Sequence, residues 1–241
     1  MADELRLALA KSAEAKSSGT PGRRRWFSGD GWLFLREGGA ATPGGGPGGP
    51  AYGQSQVGAV LWWDAAPGTA LRPRMYLRGT KALAGDGAGE AALGLSVRPA
   101  ERMPVFLHAE MRATVRPQSH ELRPALFVTA GGEREGLPLG LAVRGYGQAG
   151  WVGGDFQTGF VDGSVTARRE VARFDLGRVD AGAGLWGGAQ KGASRLDIGP
   201  SASLDLDIGD APIRVSADYR IRVAGDAAPP SGAALTLSTG F

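Results

Sequence analysis

The sequence predicts an all-β fold: a closed, antiparallel, up-and-down transmembrane β-barrel of about twelve strands, an even number as such barrels have, preceded by a short N-terminal tail. Three observations carry this expectation. Apolar and polar residues alternate with a period of two over most of the chain, the mark of strands with two unlike faces. Runs such as Val105–Arg116 and Leu196–Ile208 exceed the roughly five or six residues of an ordinary strand and reach the about nine to eleven that a tilted spanning strand needs. The last run, Ala233–Phe241, alternates to the final residue and ends on an aromatic side chain.

The elements follow in order. Ala2–Ala15 has helix-forming composition, with Leu5, Leu7 and Leu9 and neither Gly nor Pro, and Ser17–Arg25 reads as a linker ending in three arginines. Residues 1–25 are therefore set apart as a helical tail and linker, and 26–241 as the barrel. Strands are expected at Trp26–Arg36, Ser55–Asp64, Leu71–Leu83, Ala91–Arg98, Val105–Arg116, Leu122–Ala130, Leu139–Val152, Gln157–Val171, Val179–Gln190, Leu196–Ile208, Ile213–Val223 and Ala233–Phe241. Val105–Arg116 is the clearest: Val105, Leu107, Ala109, Met111, Ala113 and Val115 share one face, and Phe106, His108, Glu110, Arg112, Thr114 and Arg116 share the other. Turn chemistry separates the runs at Pro67-Gly68, Gly85-Asp86-Gly87, Gly209-Asp210 and Pro229-Pro230. The one long connection, Gly38–Gly53, is almost all Gly, Pro and Ala and cannot bury a core, but it is long enough to fold inward as a constriction. Pro73, Pro124 and Pro200 fall within proposed strands, where each forfeits a ladder bond, so they are expected at strand ends or bulges.

Composition narrows the function. A chain of 241 residues holds one large β domain or two small ones. No stretch approaches the roughly 18 continuous apolar residues of a spanning helix, which excludes a helical membrane protein. The hydrophobic fraction of 42% still suits a barrel, whose apolar residues recur only at every second position. Cysteine is absent, which removes disulfides, thiolate metal sites and Cys nucleophiles together. The 27 basic and 24 acidic residues leave a net charge of +3, and the arginines lie among the acids without the clustered basic face of a nucleic-acid binder. Alternation alone does not say which face looks outward: a water-soluble barrel buries its apolar face, a membrane barrel exposes it. Strand length favours the membrane.

Chemistry is thinly represented. Gly145, Gly147 and Gly150 fit G-x-G-x-x-G, but that fingerprint opens a helix after a short strand, and here it sits inside a long alternating run. His108 and His120 are the only histidines; no Gly-x-Ser-x-Gly elbow occurs and spacing brings no Ser to His108. Asp197, Asp205, Asp207 and Asp218 form columns on strand faces rather than converging on an ion, so charge pairing is expected of them. No catalytic residue, metal or cofactor is assigned. The polar-face charges are more telling. Arg72, Arg74, Arg78, His108, Glu110, Arg112, Arg144, Asp205, Asp207, Asp218 and Arg220 are expected to line the lumen. Their order suggests one basic wall facing a mixed or acidic one, or a salt-bridge network dense enough to block the lumen. An arginine-lined pore would favour anions.

The final strand, with Ala233, Leu235, Leu237 and Phe241 on one face, resembles the C-terminal signature of outer-membrane proteins that the barrel-assembly machinery recognises, although Thr239 stands where that signature usually has Tyr. Gly145-Tyr-Gly-Gln-Ala-Gly-Trp-Val-Gly-Gly154, Trp186-Gly-Gly-Ala-Gln-Lys-Gly192 and Arg220-Ile-Arg-Val-Ala-Gly-Asp226 resemble an Ala/Gly/Arg-rich family of alphaproteobacterial outer-membrane barrels, over roughly Trp26–Phe241. The resemblance implies location and fold and no particular activity. The partners expected are outer-membrane lipid and the assembly machinery through strand 233–241, and the polar-face arginines add an anionic solute or polysaccharide. Trp62, Trp151, Tyr219 and Phe241 are the candidates for the membrane-interface girdles. An even strand number puts both chain ends on one side, expected to be the periplasm. Met1–Ser18 carries no basic segment followed by an apolar core. An exported barrel then implies either a start that was trimmed or mis-assigned, or a longer exported chain of which this is the C-terminal part. The function expected is a non-catalytic channel for small polar or anionic solutes, or part of a polysaccharide-export system; the alternative is an anchor or translocator barrel with a plugged lumen, autotransporter-like or the C-terminal barrel of a longer exported protein.

Overall fold

The computed structural model describes residues 26–38, 54–83, 87–116, 119–155, 157–208 and 211–241. The proposed tail 1–25, nearly all of the Gly38–Gly53 connection, and the turns at Gly85-Asp86 and Gly209-Asp210 lie outside these residues. Among the described residues there are twelve strands: β1 (Phe27–Arg36), β2 (Gln56–Asp64), β3 (Arg74–Ala82), β4 (Gly89–Val97), β5 (Val105–Arg116), β6 (Ser119–Leu137), β7 (Leu141–Val152), β8 (Thr158–Phe174), β9 (Gly177–Gln190), β10 (Ala193–Ile208), β11 (Ala211–Gly225) and β12 (Gly232–Gly240). Each pairs antiparallel with its neighbours in sequence, and β12 returns to β1, closing the sheet. Closure is what lets a sheet survive in hydrocarbon, because no edge is left with unpaired N–H and C=O groups.

All twelve expected strands are present. The ends differ most at β6, which runs on to Leu137 past the expected Ala130. Gly131-Gly-Glu-Arg-Glu-Gly-Leu137 lacks alternation, but pairing such as Glu133↔Arg144 with β7 carries the strand through. Of the three prolines only Pro73 lies outside a strand; against expectation, Pro124 and Pro200 lie inside β6 and β10, with no register shift at either. Pro73 lies just before β3. Pro124 faces Met111 of β5 and lies one residue beyond the β7 ladder, which starts at Ala125↔Val152. Pro200 falls in the gap of the β10–β11 ladder between Ile198↔Ile221 and Ser201↔Asp218. Gly145, Gly147 and Gly150 lie inside β7, with no helix after them.

The two faces of the sheet settle the direction of the alternation. Leu61, Leu77, Leu95, Leu126, Ile198 and Ile221 point outward and are exposed, Leu93 at 57%, whereas inward Arg78, Trp62 and Asp197 are each 1% exposed. A water-soluble barrel has the opposite polarity; this one has the apolar outer band of a barrel that spans a bilayer. The shortest strands have nine residues, sufficient for a tilted crossing.

Two glycines let interior aromatics lie flat against the wall. A Cβ on Gly58 would enter the Trp32 ring, and one on Gly94 would enter the Tyr76 ring; bare backbone on the neighbouring strand is the seat for each ring. The seam between first and last strands uses the same device on the outer face. Gly29 and Phe241 exchange backbone hydrogen bonds of 3.2 and 3.0 Å, and a Cβ at Gly29 would lie 2.7 Å from the Phe241 ring. Gly29→Val is therefore expected to displace the ring and cost about 1–3 kcal/mol, read as a lower urea midpoint in micelles, with Phe241→Ala restoring part of the loss. An unchanged midpoint in Gly29→Val would show that the seam does not depend on the seated ring.

Candidate functional site: the barrel interior

The inward positions of the strands bring charged and aromatic side chains into one space. On the β3–β6 wall, Glu110 is the hub. Its carboxylate accepts from Tyr76 Oη at 2.7 Å, Arg78 Nη2 at 3.1 Å and Arg112 Nε at 2.5 Å. Arg78 also donates to Glu90 Oε1 at 2.8 Å, and Arg123 lies 3.6 Å from Glu90 Oε2. The side chain of Glu110 has no exposed surface. Buried charges hold only when paired and hydrogen-bonded, and these are.

An aromatic run crosses the same wall. Trp62 packs against Tyr76 with centroids 4.8 Å apart, Tyr76 against His108 at 5.9 Å, and His108 stacks on Phe127 at 4.6 Å. Arg74 lies over Trp62, 4.4 Å from its centroid, and over Phe106; Arg112 reaches Phe127 and Phe160 at 5.8 Å each. Cations over ring faces gain further when desolvated. His108 Nε2 meets Thr129 Oγ1 at 2.9 Å, and both residues are buried, so the imidazole serves the interior packing.

On the opposite wall, Arg168 of β8 reaches over to Ser201 of β10 and lies 3.7 Å from Asp218 of β11. Arg220 pairs with Asp218 at 3.2 Å and sits over Phe34 and Trp186. Arg214 grips Asp205 through both Nε and Nη2, and Arg178 lies 3.3 Å from Asp205, Asp180 and Glu135 alike. Arg144 pairs with Glu133. At the end opposite Trp26 and Phe241, Arg36 of β1 and Arg195 of β10 share Asp197, at 3.2 and 2.6 Å. There the β11–β12 loop turns into the lumen, with Ala227 and Pro229 buried.

Arg74, Arg78, His108, Glu110, Arg112, Arg144, Asp205, Asp218 and Arg220 thus all point inward. Three expected residues stand elsewhere. Arg72 lies in the β2–β3 turn with φ of +42°, its N–H bonded to Thr69 O, because the strand begins only after Pro73. Asp207 is exposed at the rim, next to the end of β10. Trp62 is not an interface residue: it is interior, and its Nε1 donates to Asp30 at 3.2 Å. The neighbouring Trp63 faces outward instead, 43% exposed and stacked on Phe27. The reason is register: Trp62↔Tyr76 pairs the inward positions and Trp63↔Met75 the outward ones. Gln56 and Asp64 share Trp62's parity, a signal that could have found this. Trp151, Tyr219 and Phe241 do face outward and exposed, joined by Phe27 and Phe174.

The carboxylates Asp197, Asp205 and Asp218 are each paired with arginine. The arrangement with one basic wall does not hold, because Glu90, Glu110 and Glu121 stand among the arginines of β3–β6 and neutralise them in place. Sequence reading missed Glu90 and Arg195, each one residue before the expected start of its strand, and Arg36 and Arg168, whose strands carry aromatic residues on the inner face and so blur the polar pattern.

Fold and interior together define a β-barrel with an apolar exterior and a lumen bridged by ion pairs. No protein-family model matches the chain, and no curated protein matches it in sequence. Among solved structures it is similar to the β domain of the Bordetella autotransporter BrkA, at 14% identity and a TM-score of 0.45, covering 90% of this chain and 98% of that one. It is also similar to LpxR from Salmonella typhimurium, at 10% identity and a TM-score of 0.44 over 89% and 99% of the two chains. A bacterial polysaccharide outer-membrane secretin gives 11% identity and a TM-score of 0.43 over 91% and 99%.

Proposed function

We propose that this chain is an outer-membrane β-barrel of a Gram-negative bacterium whose lumen is closed by its own side chains, an anchor or translocator barrel rather than an open channel. The observation that carries this is the inner face. Side chains from strands two or more apart meet there, as Arg36 with Asp197 and Arg168 with Asp218 do. Arg78, Trp62, Val60, Phe34 and Asp197 are almost wholly buried, whereas side chains lining a water-filled pore are wetted. The exposed leucine and isoleucine band supports the membrane location, and the alternating β12 followed by Phe241 supports recognition by the barrel-assembly machinery. Outer-membrane lipid is the partner of the outward face.

A channel for small polar or anionic solutes, or for polysaccharide export, is the second reading. It is favoured by the partly exposed Arg144, Arg168 and Arg178 toward the end that carries Trp26 and Phe241. Refolding in micelles and recording in planar bilayers separates the two. The closed barrel is expected to show a large mobility shift between unheated and boiled samples, with β-rich circular dichroism, and no steady conductance. Regular single-channel steps would overturn the closed lumen; a protein monodisperse without detergent would overturn the membrane barrel itself.

A further inference from the structure

The β11–β12 loop makes contacts that the closure of the barrel does not require. Arg195 Nη1 donates to the carbonyl oxygens of Ala227, at 3.1 Å, and of Pro229, and its Nη2 donates to Pro230 O at 3.3 Å. Arg36 Nη2 also donates to Pro230 O at 3.2 Å, and Arg222 Nη1 to Ala227 O at 3.1 Å. Three guanidinium groups from β1, β10 and β11 thus converge on three carbonyl oxygens of one loop. The carboxylate that serves this group is Asp197, whose Oδ2 takes both Arg36 and Arg195. Its Oδ1 and the buried Arg36 Nε have no hydrogen-bond partner.

We propose that these three arginines form an anion-binding site that the loop occupies with its own carbonyls. The charge balance is the reason. Two buried guanidiniums, Arg36 and Arg195, with the partly buried Arg222 beside them, share one carboxylate, and neutral carbonyl dipoles compensate the remaining positive charge only in part. A phosphate or carboxylate ligand brings full negative charge and the paired oxygens that guanidinium forks match. Because the cluster faces the lumen, its ligand is a water-borne anion and not a lipid headgroup. Binding there displaces Ala227, Pro229 and Pro230 from their seats, so the loop is a latch that an anion releases.

The absence of cysteine makes the latch directly readable in the refolded full chain. Ala227 is buried and Ala228 exposed. Ala228→Cys is expected to react with a membrane-impermeant maleimide at least about tenfold faster than Ala227→Cys. Adding Arg195→Gln removes a set of charge-assisted bonds and is expected to speed Ala227→Cys labelling by about tenfold or more. Inorganic phosphate is expected to speed Ala227→Cys labelling saturably with all arginines intact, and chloride at matched ionic strength is not. Equal rates for the two cysteines would overturn the seated loop, an unchanged rate in Arg195→Gln would overturn the latch, and phosphate acting no differently from chloride would overturn the anion site. Should Arg195→Gln fail to refold, the phosphate arm decides on the arginine-intact chain. None of these readouts requires conductance, so they stand or fall apart from the closed-lumen reading.

Discussion

Gly94→Val is expected to abolish the folded barrel or lower its stability by about 3 kcal/mol or more, the sum of overpacking and a lost charged hydrogen bond. Gly94 occupies an inward position of β4, and any Cβ there would enter the Tyr76 ring at the atoms nearest its hydroxyl. Tyr76 has little room to give way. Trp62 and His108 press on it from either side, and its Oη is bonded to Glu110. Moving the ring therefore breaks the Glu110 hub as well as the packing. Gly79 is the control, because a Cβ there meets nothing within 4 Å; Gly79→Ala is expected to leave the urea midpoint in micelles nearly unchanged. If Gly94→Val and Gly79→Ala unfold alike, the ring is not wedged and the glycine seat explains nothing.

Glu110→Ala is expected to cost about 3–5 kcal/mol, the range for removing one partner of a buried ion pair. Two arginines lose it at once: Arg112 keeps its ring contacts with Phe127 and Phe160, and Arg78 keeps Glu90. Glu110→Gln preserves a hydrogen-bond acceptor without its charge and is expected to fall between the parent and Glu110→Ala. Unfolding in urea, read by tryptophan fluorescence, ranks the three. A loss below about 1 kcal/mol in Glu110→Ala, typical of exposed pairs, would mean that water reaches this wall, and it would favour an open lumen with it.

Much of the architecture was legible beforehand because a period of two leaves a direct trace in the residues. Val105–Arg116 is identical in sequence reading and structure because its two faces are chemically unlike throughout. Where the faces are alike, as in Trp62-Trp63 or Gly131-Gly132, neither facing nor extent could be read, since strand parity then rests on the partner strand. Pro124 and Pro200 stayed inside strands for the same reason: only the pairing shows where a ladder lapses.

The interior divides in the same way. That arginines and carboxylates share one face of the sheet follows from alternation along each strand, a local property. Which arginine meets which carboxylate does not. Arg36 and Asp197 are joined across β11 and β12, and Arg78 and Glu110 across β4. These meetings depend on closure and on the stagger of neighbouring strands, both set by the whole ring of registers. The sequence by itself determined that the chain is a barrel of two-faced strands with charge on one face. The tertiary structure alone decided that the apolar face looks out, that the charges are paired across the lumen, and that a loop is folded onto three arginines. Hydrophobic alternation has the same form whichever way a sheet curls, and only closing the ring gives it an inside.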